Sequence, residues 1–281
     1  MWHCKTVAIV GVGLIGGSIG MALRRRGLAD VVVGIGRRSA ALRTARRVGA
    51  VTTTTVDLAK GVANADLIVV CTPVHRIVDR VRQAAMHCPE GALITDAGST
   101  KQAIVEALDD ALPRGCRFLG GHPLAGSEKS GPVHAQADLF EGRIVVLTPT
   151  KNTHAEDYDR LEAFWSALGS VVIQMSPAEH DRALAVTSHV PHLAAAAVAA
   201  SLPENWFRLA GAGALDTTRI AAGDPDLWTH ILIQNRDNVL AGLSRCEQEL
   251  AALRAAIENR DEERLRNLLA VAKKNRDALG S

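Results

Sequence analysis

Apolar positions in the first half of the chain fall into short runs separated by stretches of a different period. "TVAIVGVG", "VVVGIG", "DLIVVCTP", "ALITDAG" and "IVVLTP" are strand-length, rich in β-branched residues and continuous in their apolarity, as strands covered on both faces are. Between them the period becomes helical. "IGGSIGMALRRRGL" closes at Gly27, "RSAALRTARRVGA" closes at Gly49, and "VHRIVDRVRQAAMHCP" stops at Pro89. "DYDRLEAFWSALG" is a further helix, leading into the strand "SVVIQMS". This alternation predicts an α/β fold, a doubly wound parallel sheet of Rossmann type with crossover helices.

Around Pro177 the pattern changes. From Ala178 onward no strand signal is found: "HDRALAVTSHVPHLAAAAVAASL" reads as an Ala-rich helix interrupted at Pro191. "DLWTHILIQNRDNVLAGLSRCEQELAALRAAIENRD" and "EERLRNLLAVAKKNRDAL" carry a 3.6-residue period. The expected organisation is a Rossmann domain over 1–177 and an all-helical domain over 178–281. A helical half so rich in Ala and Leu leaves apolar surface to cover, so a homodimer through it is expected.

Composition narrows the functional classes. At 281 residues and 47% hydrophobic content the chain has material for two real cores. A net charge of +2, with only four Trp, four Phe and one Tyr, argues against DNA and RNA as partners. Cys4, Cys71, Cys88, Cys116 and Cys246 form no C-x-x-C pair, which argues against a disulfide framework or zinc finger and suits a reducing cytoplasm. Thr6–Leu23 is uncharged and apolar and contains G-x-x-x-G at Gly16 and Gly20. It is short for a membrane span and lacks signal-peptide flanks, so a soluble strand and helix is the expectation.

"VAIVGVGLIGGS" fits G-x-G-x-x-G with Gly11, Gly13 and Gly16, directly after a strand and opening a helix. Gly11 permits the tight turn, Gly13 lets backbone approach a pyrophosphate, and Gly16 lets the helix pack on the strand. Leu14 and Ile15 share this turn, and Thr72 and Pro73, in "CTPVH", belong to the same candidate dinucleotide site. NAD sites usually end the second strand on an acid that binds the ribose 2′-hydroxyl; here Gly36 stands there, followed by Arg37, Arg38 and Ser39. Cations and a hydroxyl suit a 2′-phosphate, so NADP is favoured over NAD.

Ligands of an open α/β sheet gather at the carboxyl ends of its strands, where "CTPVH", "DAGSTK" and "GGHPLAGSEKSG" fall. "LGGHPLAGSEKSG", residues 119 to 131, reads as an irregular loop that presents His122, a residue whose ordinary pKa suits a base at neutral pH. Glu128 and Lys129 read as ordering that loop or as a surface ion pair. Further on, Ser188 and His192 lie four apart on one helix face with His189 beside them, and with His180 they are expected to line a pocket from the second domain. H-x-x-H without an evident third ligand makes no metal site, and none is expected.

Together "GLIGGS", "CTPV", "TDAGSTK", "GGHPLAGSEKSG", "EHDRALAVTSHVPH" and "LDTTRIAAGDPDLW" resemble the prephenate and arogenate dehydrogenases, from about Lys5 to about Leu243. The resemblance implies oxidative decarboxylation in tyrosine biosynthesis: hydride leaves the ring carbon bearing the 4-hydroxyl, the ring carboxylate departs as CO2, and the ring becomes aromatic. It implies His122 as the base for the hydroxyl proton, Ser99 as the residue orienting that hydroxyl, and Arg219 as a bidentate clamp for the side-chain carboxylate. Nothing in the residues separates prephenate from arogenate. A β-hydroxyacid or 6-phosphogluconate type of dehydrogenase would want a lysine on a second-domain helix, and none stands between Asn152 and Ala272. A sensor that only reads the nicotinamide ratio would make His122, Ser99 and Arg219 superfluous. With helical pattern up to Ser281, no appended regulatory ACT domain is expected, which would leave feedback to act at the active site.

Overall fold

The computed structural model describes residues 2–110, 112–127 and 129–280. Eight strands form one sheet: β1 (Cys4–Val10), β2 (Ala29–Ile35), β3 (Thr53–Thr55), β4 (Leu67–Val70), β5 (Leu93–Asp96), β6 (Arg117–Pro123), β7 (Ile144–Thr148) and β8 (Val171–Gln174). Their order is β3-β2-β1-β4-β5-β6-β7-β8, so the chain reverses its winding between β1 and β4, beside the glycine turn. Helices α1 (Leu14–Arg25), α2 (Ser39–Arg47), α3 (Leu58–Val62), α4 (Ile77–Ala85), α5 (Gln102–Leu108) and α6 (Ala155–Ala167) connect the strands. Alternation along β1 sends Val7 and Ile9 to a core with Ile19, Leu23, Phe164 and Trp165. Ala8 and Val10 face the opposite core, with Ile68, Ile77 and Ile94.

The sheet is parallel except at one joint. β6 and β7 pair antiparallel, with His122 opposite Val146, a departure from the parallel pairing that the strand pattern predicts. Among the described residues the link between them holds only a 3-10 turn, Pro132–His134, and so supplies no crossover helix to bring β7 round in the parallel sense. The same pairing corrects the expectation for residues 119–123. They form a strand, not an irregular loop, and His122 stands on it. Gly120 and Gly121 argue against a strand by propensity but serve close approach: a Cβ on Gly120 would lie 2.6 Å from Thr148 Oγ1, and one on Gly121 would lie 3.0 Å from the Asp96 carbonyl oxygen.

The Gly16/Gly20 pattern also serves packing within the sheet layer. A Cβ on Gly20 would fall 2.0 Å from the Ala50 carbonyl oxygen, so α1 can lie on its neighbours only with glycine there.

From Pro177 on, the described residues are helical: α7 (Pro177–Leu184), α8 (Val190–Ser201), α9 (Ala212–Thr218), α10 (Pro225–Gln234), α11 (Arg236–Glu258) and α12 (Glu262–Ala278). A Ser176/Glu179 capping box starts α7. Pro191 does not interrupt the helix that follows. A π turn over Ala185–His189 joins α7 to α8, and its wider spacing accommodates a ring and a missing N–H that a regular helix would not. Pro177–Ser201 is thus long and apolar enough to cross a membrane, yet it carries buried His180, Asp181, His189 and His192, the mark of a helix serving a polar site. The helix expected over 226–261 breaks at Asn235, whose buried side chain donates to the Asp181 carbonyl at 2.7 Å.

Candidate active site

The glycine turn between β1 and α1 is built as its spacing demands. Gly11 has φ +100, and a Cβ there would meet the Cys71 carbonyl oxygen at 2.7 Å. A Cβ on Gly16 would fall 2.2 Å from the Gly11 carbonyl oxygen, whereas Gly13 faces open space. Two of the glycines therefore close the chain on itself, and the middle one leaves room for a ligand at the first turn of α1. Leu14 and Ile15 are half-exposed at that turn. Thr72 and Pro73 follow β4, and the buried Thr72 Oγ1 has no hydrogen-bond partner among the described residues. An open backbone turn with an orphaned hydroxyl beside it fits a dinucleotide.

At the end of β2, Gly36 is followed by exposed Arg37, Arg38 and Ser39, with Arg38 at the N-cap of α2 and Ser39 its first residue. Facing them, His75 from the stretch after β4 stacks on His230 of α10, ring centroids 3.7 Å apart. Burial, followed by the charges of His230, Arg76 and Arg37, pushes the His75 imidazole below its ordinary value. This bridge between the two halves was not legible in the sequence.

The other end of the site is buried. Ser99 lies half-buried in the bend after β5 and His122 is buried on β6. Asp96, at the carboxyl end of β5, pairs with Lys101, and neither side chain has any exposure. The Asp96 carboxylate also accepts from the backbone N–H groups of Gly98 (2.8 Å) and Gly121 (3.1 Å), which fixes the Gly120–Gly121 peptide one residue before His122. His122 Nδ1 lies 2.8 Å from His180 Nε2, and His180 Nδ1 lies 2.7 Å from Asp181 Oδ1. The two Asp181 oxygens accept from the backbone N–H groups of Lys101 and Gln102, at 2.7 and 2.9 Å. Burial, helped by His180, Lys101 and His189, holds the His122 imidazole well below its usual range, and burial likewise lowers His180 against the opposing pull of Asp181.

The expected pocket histidines separate into two kinds. His180 and His189 do not line an open pocket: they are 0% and 1% exposed and bond inward, His180 to His122 and Asp181, His189 to Asn235 at 3.2 Å. Burial brings His189 down to about 4. His192, also buried, stacks on Trp228 at 3.6 Å between centroids. Ser188 is half-buried in the π turn, and Arg219 is exposed on the 3-10 turn Arg219–Ala222, which packs on α8. Lys129 is exposed, and Glu128 lies outside the described residues. Among the described residues no group of three or more His, Cys, Asp or Glu is placed to hold a metal ion.

The sequence reading missed Asp96, Lys101, Asp181, Asn235 and Trp228. For three of these a signal existed: Asp96 terminates an apolar run, Lys101 closes the next stretch, and Asp181 directly follows His180.

Two family models divide the chain between them. That of the prephenate dehydrogenase nucleotide-binding domain matches residues 19–174, and that of the prephenate dehydrogenase dimerization domain matches residues 176–271. The chain is 34% identical to the prephenate dehydrogenase of Bacillus subtilis (strain 168), over 98% of its own length and 76% of that protein's. It is 32% identical to a cyclohexadienyl dehydrogenase of Zymomonas mobilis, over 98% and 96%. Among solved structures, the prephenate dehydrogenase of A. aeolicus in complex with hydroxyphenyl propionate and NAD+ aligns with a TM-score of 0.91 at 34% identity, covering 98% of both chains. The arogenate dehydrogenase of Synechocystis aligns at 0.80 and 30% identity, over 98% of this chain and 100% of that one. With both halves matched and relatives 32–34% identical over 98% of the chain, the chain belongs to the prephenate dehydrogenase family.

Proposed function

We propose that the chain oxidatively decarboxylates prephenate or arogenate, in tyrosine biosynthesis, with NADP as its preferred hydride acceptor over NAD. The observation that carries the reading is His122: a buried imidazole at the carboxyl end of β6, on the same edge of the sheet as the open glycine turn. A base must be unprotonated to act, and burial keeps this one so at neutral pH.

The residues divide the work. Gly11, Gly13 and Gly16, with Leu14, Ile15, Thr72 and Pro73, hold the dinucleotide, which when bound supplies the hydride acceptor. His122 takes the 4-hydroxyl proton as hydride leaves the same ring carbon, and Ser99 orients that hydroxyl. The ring carboxylate then leaves as CO2, and the electron pair of the broken bond completes the aromatic ring, so positioning is most of what the protein must add. Arg219 clamps the side-chain carboxylate through its guanidinium fork, with His192 and Ser188 beside it on the helical half. Arg37, Arg38 and Ser39 receive the 2′-phosphate where Gly36 offers no carboxylate to a 2′-hydroxyl.

We place the domain boundary at 177 and read the helical half as the substrate-binding and dimerisation domain. Its exposed Trp206, Phe207, Leu209, Ile233, Leu250 and Ile257 support a homodimer, and five free cysteines suit the cytoplasm. Spectrophotometry with prephenate and with arogenate, each with NADP and with NAD, tests the proposal. Reduced nicotinamide should form with at least one substrate, at a lower KM for NADP. No reduction with either substrate would overturn it.

A further inference from the structure

The hydrogen-bond directions around His122 determine which of its nitrogens is basic, and they can be followed inward from a group of fixed polarity. The Asp181 carboxylate only accepts, and both of its oxygens already take backbone N–H groups, from Lys101 and Gln102. His180 Nδ1, 2.7 Å from Asp181 Oδ1, must therefore carry a hydrogen. His180 has no exposure and burial disfavours its charged form, so its Nε2 is left as an acceptor. His122 Nδ1, 2.8 Å from that Nε2, must then be the donor, and the lone pair of His122 remains on Nε2. The other charges facing this pair are already engaged: Lys101 is paired with Asp96, and the neutral His189 is bonded to Asn235.

On the reading that His122 is the base, we propose that His180 and Asp181 are positioning residues that lock His122 in the tautomer with its hydrogen on Nδ1 and its free electron pair on Nε2. When Nε2 takes the substrate's hydroxyl proton, the new cation donates through Nδ1 to His180 and, through His180, is stabilised by the Asp181 carboxylate. His122 belongs to the sheet, whereas His180 and Asp181 belong to α7 and Asp181 is clasped by the backbone at the start of α5. The base is thus assembled across the joint between the two halves.

The test combines ring nitrogen-15 NMR of the full-length protein, labelled at histidine, with steady-state kinetics. His122 resonances are assigned by their loss in His122→Asn. In the wild type at neutral pH, His122 should show a protonated Nδ1 and a bare Nε2. His180→Leu, which offers no acceptor, should release that preference and lower kcat about 10- to 100-fold with KM changed less than about threefold. His180→Gln, whose amide oxygen can accept from Nδ1, should recover part of kcat and the wild-type tautomer. A wild-type His122 carrying its hydrogen on Nε2 overturns the proposal, and that measurement stands even if His180→Leu does not fold. Unchanged kcat in His180→Leu also overturns it, whereas unchanged kcat in His122→Asn overturns the base assignment beneath it.

Discussion

The two ends of the site are built on opposite principles. Where hydride would leave, Asp96, Lys101, His180 and Asp181 are essentially without exposure and every one of them is held by the others or by backbone N–H groups. At the end of β2, Arg37, Arg38 and Ser39 are exposed, and their polar groups face solvent. The first arrangement spends folding stability to place a proton acceptor in advance; the second leaves its charges solvated until they are wanted.

The contrast predicts that the buried end fails hardest. Lys101→Met leaves the Asp96 carboxylate buried and unpaired, and should lower the unfolding free energy by about 3–5 kcal/mol. Denaturant melts at unchanged slope would measure this, and a loss under about 1 kcal/mol would show that Asp96 finds other solvation. Arg37→Ala with Arg38→Ala should stay within about 0.5 kcal/mol in the same melts, as surface changes do.

His122→Asn should lower kcat about 100-fold or more while substrate KM holds, the cost of a lost general base. In the wild type, kcat/KM should be flat through neutral pH and fall on acidification. Because the folded imidazole is held low, protonation that disables it begins below the ordinary histidine value of about 6.5. An acid limb at or above that value would mean that His122 is more solvated than its burial implies.

The smallest effect belongs to the exposed end. The Arg37→Ala/Arg38→Ala pair should raise KM for NADP about tenfold or more and leave NAD nearly unchanged, each charge-assisted contact being worth about 1.5–3 kcal/mol. Equal losses for both cofactors would show that these arginines do not read the phosphate.

The sequence made the sheet and the glycine turn legible because long β-branched runs and a motif at fixed spacing are local signals. β3, α3 and α5 escaped because three to seven residues are too few to show a period. β6 escaped for a different reason. Gly120 and Gly121 look like loop residues until Thr148 and Asp96 are seen pressing on the places where their side chains would be. In the site, His122 stood out as a histidine in a distinctive motif, but its supports did not: Asp181 is 80 residues from the backbone N–H of Lys101 that holds it. His180 and His189, expected to line a pocket with Ser188 and His192, face inward, since the periodicity that pairs Ser188 with His192 does not say what lies against their neighbours.

The break at Asn235 has a mechanical meaning. It ties the N-cap of α11 to the Asp181 carbonyl, while the far half of that helix carries exposed Leu250 and Ile257. At 23 residues, α11 is about 35 Å long. Pivoted at Asn235, a shift of about 1 Å at its far end turns the helix by less than about 2° and moves atoms one turn from the pivot by only about 0.15 Å, inside the roughly 0.5 Å tolerance of a working site. With the pivot at Asn235, on the Asp181 carbonyl, a movement at the far end of α11 would reach that carbonyl only at this reduced scale.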